Sequence, residues 1–405
     1  ATRIEDGGRD TDGDRDADGD VRPHGHAHSG ADTDADRLER DRDDETSGQL
    51  ENNGITVSTH KDHVLHEKRE ILTNDGTPYK VFTYYARKWR NRPSPEPVDT
   101  VSRIETCRLD PGTIPDADDL GLETTLSDPR WTPETSAARS RWDQFLSDDL
   151  INYHENRDFP ARQSTSRLSP YLRFGLISPR RLREDCEEFY RSNELTDGVE
   201  TFVDELIWRD FYHQVLYNFP SVTDENFLSK YDDLKWEDHP DWLQAWKEGR
   251  TGIPIVDAAQ RQLNRTGWMH NRLRMITASF LTKDCFIHWK QGEAYFMNQL
   301  LDGDTAANNG GWQWAASTGT DAAPYFRIFN PYSQSEDYDP DGKFIRRYCP
   351  ELRDLEGSDL HRPHEADDAT LGEAGVTLGE NYPHRILDHS ARRENALEKF
   401  NAIES

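Results

Sequence analysis

From residue 136 to residue 351, apolar side chains recur at spacings of three and four, and strand signals are nearly absent. A helical period sustained over that length allows only helix packed on helix. The clearest segments are 180–190, 201–218, 242–247, 254–266, 271–290 and 292–301. A further short helix is expected near 394–403. With 405 residues the chain is long enough for two domains and a substantial core.

The rest of the chain reads differently. Residues 1–49 are rich in Asp, Gly, Arg and Thr with almost no apolar content, which predicts an acidic segment without stable order. His24, His26 and His28 fall in it and read as part of a solvated loop rather than a metal site. Residues 50–91 look folded: Gly54 to His60 alternates as a strand, and Tyr79 to Trp89 leads into a helix. Residues 92–135, rich in Pro, Asp and Thr, read as a connector. The helical domain is expected to span 136–391, with a tail at 392–405. The start at Ala1, directly in low-complexity sequence, suggests a fragment or a trimmed N-terminus.

The net charge is −28, and of 49 basic residues only 11 are Lys. That balance suggests adaptation to high salt, where a short Debye length tolerates self-repulsion. It argues against nonspecific nucleic-acid binding while leaving room for a local Arg patch. Cys107, Cys186, Cys285 and Cys349 are widely spaced, with no pair suited to zinc. No apolar run approaches the ~20 residues of a membrane span. A cytoplasmic protein that needs no metal is expected.

Four constellations stand out. In Thr165, Ser166, Arg167, Leu168, Ser169 and Pro170, the Ser-Pro step reads as a hydroxyl cap followed by proline at the first helical position. Such a start is either a plain cap or part of a phosphate cradle. Glu205 and Trp208, three apart, share a helix face, and a carboxylate beside an indole suits a flat, hydrogen-bonding ligand. Asn271 and Met275 also share a face, with Arg274 beside them and free to pair with Asp302 or Asp304; His270 reads as structural. The fourth is 300–330, where Asp302, Gly303, Asp304, Asn308, Gly310 and Gly311 precede Trp312 and Trp314. Gly, Asp and Asn are poor helix residues, so local propensity has been given up here for something else. Two residues apart on a helix, the tryptophans point nearly oppositely. No Gly-rich dinucleotide fingerprint follows a strand.

The segments AWKEGRTGIPIVDAAQRQLNRTGWMHNRLRMITASFL, DGDTAANNGGWQWAASTGTDAAPYFRIFNP and TSRLSPYLRFGLISPR, in this order, resemble the photolyase/cryptochrome family, most closely its class I cyclobutane pyrimidine dimer photolyases. The resemblance implies an α/β antenna domain, here partial, followed by an all-α domain that binds FAD. It implies a monomer that acts on UV-damaged DNA by electron transfer from excited reduced FAD to a flipped-out dimer. It places Tyr153 and Thr165–Ser169 on the phosphates and ribityl chain. Arg274, Asp302, Gly303, Asp304 and Asn308 fall around the flavin, with Asn308 at its N5 edge. Trp208 and Trp314 become walls of the lesion pocket, and Glu205, Asn271 and Met275 hold the pyrimidines. Trp312, Trp289 and Trp236 become an electron path to the surface. Arg209, Arg272, Arg327 and Gln334 would meet DNA. The family's opening strand motif is missing, which argues against an intact site for an antenna pigment such as 8-hydroxy-5-deazaflavin or methenyltetrahydrofolate. A light sensor of the cryptochrome kind remains the alternative.

Overall fold

The computed structural model describes residues 2–6, 26–27, 37–59, 63–95, 97, 112–116, 118–121, 131–193 and 197–404. The N-terminal part pairs β1 (Thr2–Asp6) antiparallel with β2 (His26–Ala27) on one side and β3 (Ile55–Thr59) on the other. The register runs from Thr2 opposite Thr59 to Asp6 opposite Ile55. Between the strands lies α1 (Arg37–Asn52). The acidic segment is therefore shorter than the composition implies: from Arg37 its Arg and Glu, good helix formers, are already helical. The side chains of His24, His26, His28 and Cys107 lie outside the described residues.

Among the described residues after β3, the regular elements are helices apart from the isolated bridges Leu72–Pro78 and Leu378–Tyr382. α2 (Phe82–Arg90) precedes the connector, and α3 (Thr135–Asp148), α4 (Tyr153–Asn156), α5 (Ser169–Arg173), α6 (Pro179–Asn193) and α7 (Asp197–Asn218) follow it. Then come α8 (Pro240–Glu248), α9 (Pro254–Thr266), α10 (Asn271–Ser279), α11 (Trp289–Gln299) and α12 (Thr305–Ala316). The last are α13 (Pro331–Tyr338), α14 (Lys343–Tyr348), α15 (Gly357–His361), α16 (Asp368–Glu373) and α17 (His389–Glu404).

Two apolar clusters hold these helices. One gathers Tyr85, Trp89, Trp142, Phe145, Phe202 and Phe211 where α2, α3 and α7 meet. The other gathers Trp246, Ile255, Trp289, Phe296, Trp312 and Phe344 from α8 through α14. α12 lies between them, and its glycines explain how closely. A Cβ on Gly310 would sit 2.1 Å from the Tyr212 ring of α7. On the facing α11, a Cβ on Gly292 would sit 2.1 Å from the Trp312 ring. Each glycine costs about 1 kcal/mol of helix propensity and permits an approach no other residue allows.

The expected helix over 271–290 is interrupted. α10 ends at Ser279, a wider turn follows over Phe280–Asp284, and Phe286 takes a left-handed φ of 54°. α11 restarts at Trp289, its first turn capped by His288, whose Nδ1 accepts from Lys290 N at 3.2 Å. The apolar period hides the break because Leu281, Phe286 and Ile287 are buried throughout it. α17 begins at His389, five residues before the expected short helix, where His389 meets the buried Asp284 at 2.5 Å.

Candidate cofactor and substrate site

α12 begins where Asp304 turns the chain. Its Oδ1 accepts from Ala307 N at 2.8 Å, so this carboxylate is the helix cap. Just before it, Arg173 Nε donates to Gly303 O at 2.6 Å. Asp302, with only 1% of its side chain exposed, pairs with Arg274. One guanidinium nitrogen spans both carboxylate oxygens at 3.0 and 2.7 Å, and Arg274 Nε donates to Met269 O at 2.8 Å. Of the two partners open to Arg274, the structure selects Asp302.

Asn308 is half-buried, and its amide donates to Glu293 O at 3.0 Å. Asn309 is buried and donates to the Glu293 carboxylate at 2.8 Å. Trp312 is buried against Trp246 and Phe296, with centroids 5.9 and 5.0 Å away. Trp314 is half-buried beside Phe329. The opposite facing expected of a two-residue offset is therefore present.

α7 supplies the facing wall. Trp208 is stacked on Phe82 at 3.7 Å and 2° between planes. Glu205 pairs with Arg157 at 2.7 Å while 35% of its side chain remains exposed. Enclosure by the helices pushes the Glu205 carboxyl above its ordinary range, and the Arg157 charge opposes that shift. Asn271 Nδ2 lies 3.7 Å from Met275 Sδ, on one face of α10 as the spacing predicts. His270 caps that helix, its Nδ1 accepting from Arg272 N at 3.2 Å, and burial lowers its pKa to about 4. The structural reading of His270 is the one the geometry gives.

Ser169 departs from its expected part. It is the first residue of α5 rather than its cap, and no side chain caps that helix. Its hydroxyl instead accepts from Trp268 Nε1 at 3.3 Å. α5 has five residues, too few for a useful macrodipole, so any anion here would rest on side chains. Arg167 is held in a left-handed conformation, φ 51°, with its guanidinium 5.0 Å from the Trp268 ring centre. Strain of this kind collects at binding sites. Leu168 is buried, Thr165 and Ser166 are half-buried, and Tyr153 is buried against Phe202 with its centroid 5.8 Å away.

The residues expected to meet DNA separate. Arg327 is exposed, and Gln334 is half-buried with an unpartnered Oε1. Arg272 pairs with Asp158 at 2.7 Å and lies over Tyr338. Arg209 turns inward to the carbonyl and imidazole of His63, because the loop at 63–66 closes over α7 there. Among the electron-path residues, Trp289 is buried and Trp236 half-buried. His288 lies between them, 5.5 and 5.3 Å from each.

Sequence reasoning missed Arg157, Trp268, His63 and His213. The stripe Glu205, Trp208, Arg209, Tyr212, His213 at spacings of three and four held the signal for His213. Nothing in the sequence joins His63 to it, 150 residues away.

The helical domain thus places a capping carboxylate, two amides, an Arg–Asp pair and an indole stacked on a phenyl ring on α7, α10, α11 and α12. Residues 202–402 match the family model described as FAD binding domain of DNA photolyase, and residues 21–102 match the one described as DNA photolyase. The second match begins well before residue 50, where the sequence first looks folded. The chain is 44% identical to the deoxyribodipyrimidine photo-lyase of Halobacterium salinarum, over 90% of this chain and 76% of the relative. It is 44% identical to that of Escherichia coli, with the same coverage. Among solved structures, a bacterial class III photolyase from Agrobacterium tumefaciens superposes with TM-score 0.86 at 37% identity, covering 91% of this chain and 78% of that one. A Synechocystis cryptochrome superposes with TM-score 0.79 at 27% identity, covering 89% and 76%. This chain belongs to the DNA photolyase family. Among the described residues, no helix is long and apolar enough to cross a membrane.

Proposed function

We propose that the chain is a deoxyribodipyrimidine photo-lyase that uses FAD to split cyclobutane pyrimidine dimers in DNA under light. The observation that supports this reading is that α12, which carries Trp314, packs against both α7, which carries Glu205 and Trp208, and α10, which carries Asn271, Met275 and the Arg274 that pairs with Asp302.

The donor set fits FAD. Thr165, Ser166 and Ser169 offer hydroxyls for its phosphates and ribityl chain, and Tyr153 adds a phenol. Asn308 offers an amide at the start of α12, and Arg274 neutralises Asp302 so that a flavin edge meets no net charge. When bound, reduced FAD supplies an electron on absorbing light. The protein's part is position and field. Trp208, backed by Phe82, gives a rigid face on which an unstacked base can lie. Asn271 and Glu205 hydrogen-bond pyrimidine edges, and Glu205 stabilises charge that develops on them. Arg157 holds Glu205 in place until the substrate competes for it. Trp312, Trp289 and Trp236 are assigned to electron supply, a role supported by His288 lying between the last two.

Illumination of the reduced, FAD-loaded protein with an oligonucleotide containing a thymine dimer tests the proposal. Restored thymines are expected; intact dimers with FAD bound and reduced would sink it. Glu205→Ala should lower repair by on the order of tenfold, since a charged hydrogen bond contributes about 1.5–3 kcal/mol. It should leave FAD bound.

A further inference from the structure

His63, His213 and Asp304 are buried, and one ligand-type atom from each lies within 4.8 Å of the others. His213 Nε2 is 3.1 Å and His63 Nε2 is 3.6 Å from Asp304 Oδ2. The two imidazoles pack edge to face at 5.0 Å. A two-His, one-carboxylate set of this kind invites a divalent cation. The guanidinium of Arg209 decides otherwise. It donates to His63 Nε2, occupying the lone pair a metal would need and placing a fixed positive charge where the cation would sit.

With Nε2 accepting from Arg209, His63 presents no proton to Asp304 through that atom. Burial, and then the Arg209 charge, push the His63 imidazole down to about 3, so it stays neutral across the working range. His213 is thereby the group that faces Oδ2. Its N–H is not aligned for a full hydrogen bond, and the 3.1 Å approach is a polar contact between ring and carboxylate. Burial alone would raise Asp304; His213 first, and then the Arg209 charge, hold it well below the usual carboxylate range.

Asp304 is where this matters. One oxygen caps α12, and α12 carries Asn308, Trp312 and Trp314. The other oxygen is the one held by His213 of α7, with His63 of the N-terminal segment packed behind. We infer that His213 is a positioning residue: it fixes the ionised Asp304 cap, and through it the placement of Asn308 against the flavin, while His63 and Arg209 seal that contact from the N-terminal side. The inference rests on the photolyase reading of α12 given above.

The test uses the FAD-loaded full chain with His213→Leu, His213→Gln and His213→Arg. The readouts are FAD stoichiometry, the visible spectrum of bound flavin, its rate of oxidation in air after photoreduction, and metal content after zinc loading. Loss of the His213–Asp304 contact in His213→Leu should speed aerobic oxidation on the order of tenfold and shift the spectrum, the size expected for one hydrogen bond to a charged group. His213→Arg, which places a fixed donor against Asp304, should return both toward wild type. His213→Gln, which keeps polarity and size, separates this effect from misfolding. Unchanged oxidation and spectrum in a folded, FAD-bearing Leu variant overturn the inference and leave the photolyase reading intact. A wild-type chain that takes up no FAD instead overturns that reading. Stoichiometric zinc retained by wild type and lost in His213→Leu would overturn the inference in favour of a metal centre.

Discussion

Asn309 Nδ2 donates to the Glu293 carboxylate at 2.8 Å, tying α12 to α11. Burial raises the Glu293 pKa from 4.5 to about 7, with Asn309 opposing. The folded state therefore holds a proton that the unfolded chain has already released between those values. Stability from this group is full below pH 4.5, falls as pH rises, and is gone above about 7. The total is roughly 3 kcal/mol by linkage. Glu293→Gln keeps an acceptor for Asn309 without the charge. Denaturant midpoints measured from pH 5 to 8 should fall for wild type and fall much less for the variant. Parallel curves would remove Glu293 as the source.

Gly310 predicts a steric penalty rather than a gain. Gly→Ala in an exposed helix stabilises by about 1 kcal/mol. Here the new Cβ would meet the Tyr212 ring at 2.1 Å. Overpacking of this kind costs roughly 1–3 kcal/mol, so Gly310→Ala should lower the thermal midpoint. Gly311, with nothing within 4 Å of an added Cβ, is the control, and Gly311→Ala should raise it or leave it unchanged.

Arg274→Leu leaves Asp302 without its one ion-pair partner among the described residues. A fully buried pair broken on one side costs 3–5 kcal/mol; because Arg274 is 26% exposed, about 2–3 kcal/mol is expected. Arg274→Lys should recover part of it, since an ammonium reaches the carboxylate but not also Met269 O. Chemical denaturation and FAD retention read both effects.

Arg209 and Arg327 read alike in the sequence and should behave unlike each other. Arg327→Ala removes an exposed cation, so affinity for undamaged duplex should drop evenly across sequences and the salt slope should fall by about 1. Arg209→Ala should leave the salt slope in place and lower stability, because its guanidinium is spent on His63. Binding isotherms at several salt concentrations separate the two.

Trp312→Phe should block photoreduction of the bound cofactor while sparing repair by chemically reduced protein. Trp312 lies buried in the core beside Trp246, whereas Trp314 is half-buried beside Phe329. Unchanged photoreduction removes Trp312 from the path.

The parts of this fold that follow from periodic burial were legible in the chain. Residues 254–266 form a helix with the bounds the pattern gives, and Asn271 and Met275 meet as their spacing requires. What escaped was set by contacts distant in sequence or by side-chain capping. The break before Trp289 depends on the His288 cap and on Asp284 being claimed by His389, neither of which alters the apolar period. Ser169 looked like a cap because the residues suit one, yet Trp268 recruits its hydroxyl from 99 positions away. Arg209 looked like a surface charge because nothing local shows that His63 folds over it.

Beside Arg209, the buried Asp210 accepts from Leu65 N, His66 N and Trp89 Nε1, at 3.2, 3.1 and 2.9 Å. Two adjacent residues of α7 thus grip the segment that leads out of the N-terminal sheet. For anyone recombining photolyases, this sets the seam. A chimera that takes its N-terminal module from another family member should keep residues 63–66 and α2 with the helical domain. A junction placed after them would sever the clasp and leave a buried carboxylate with three vacated donors.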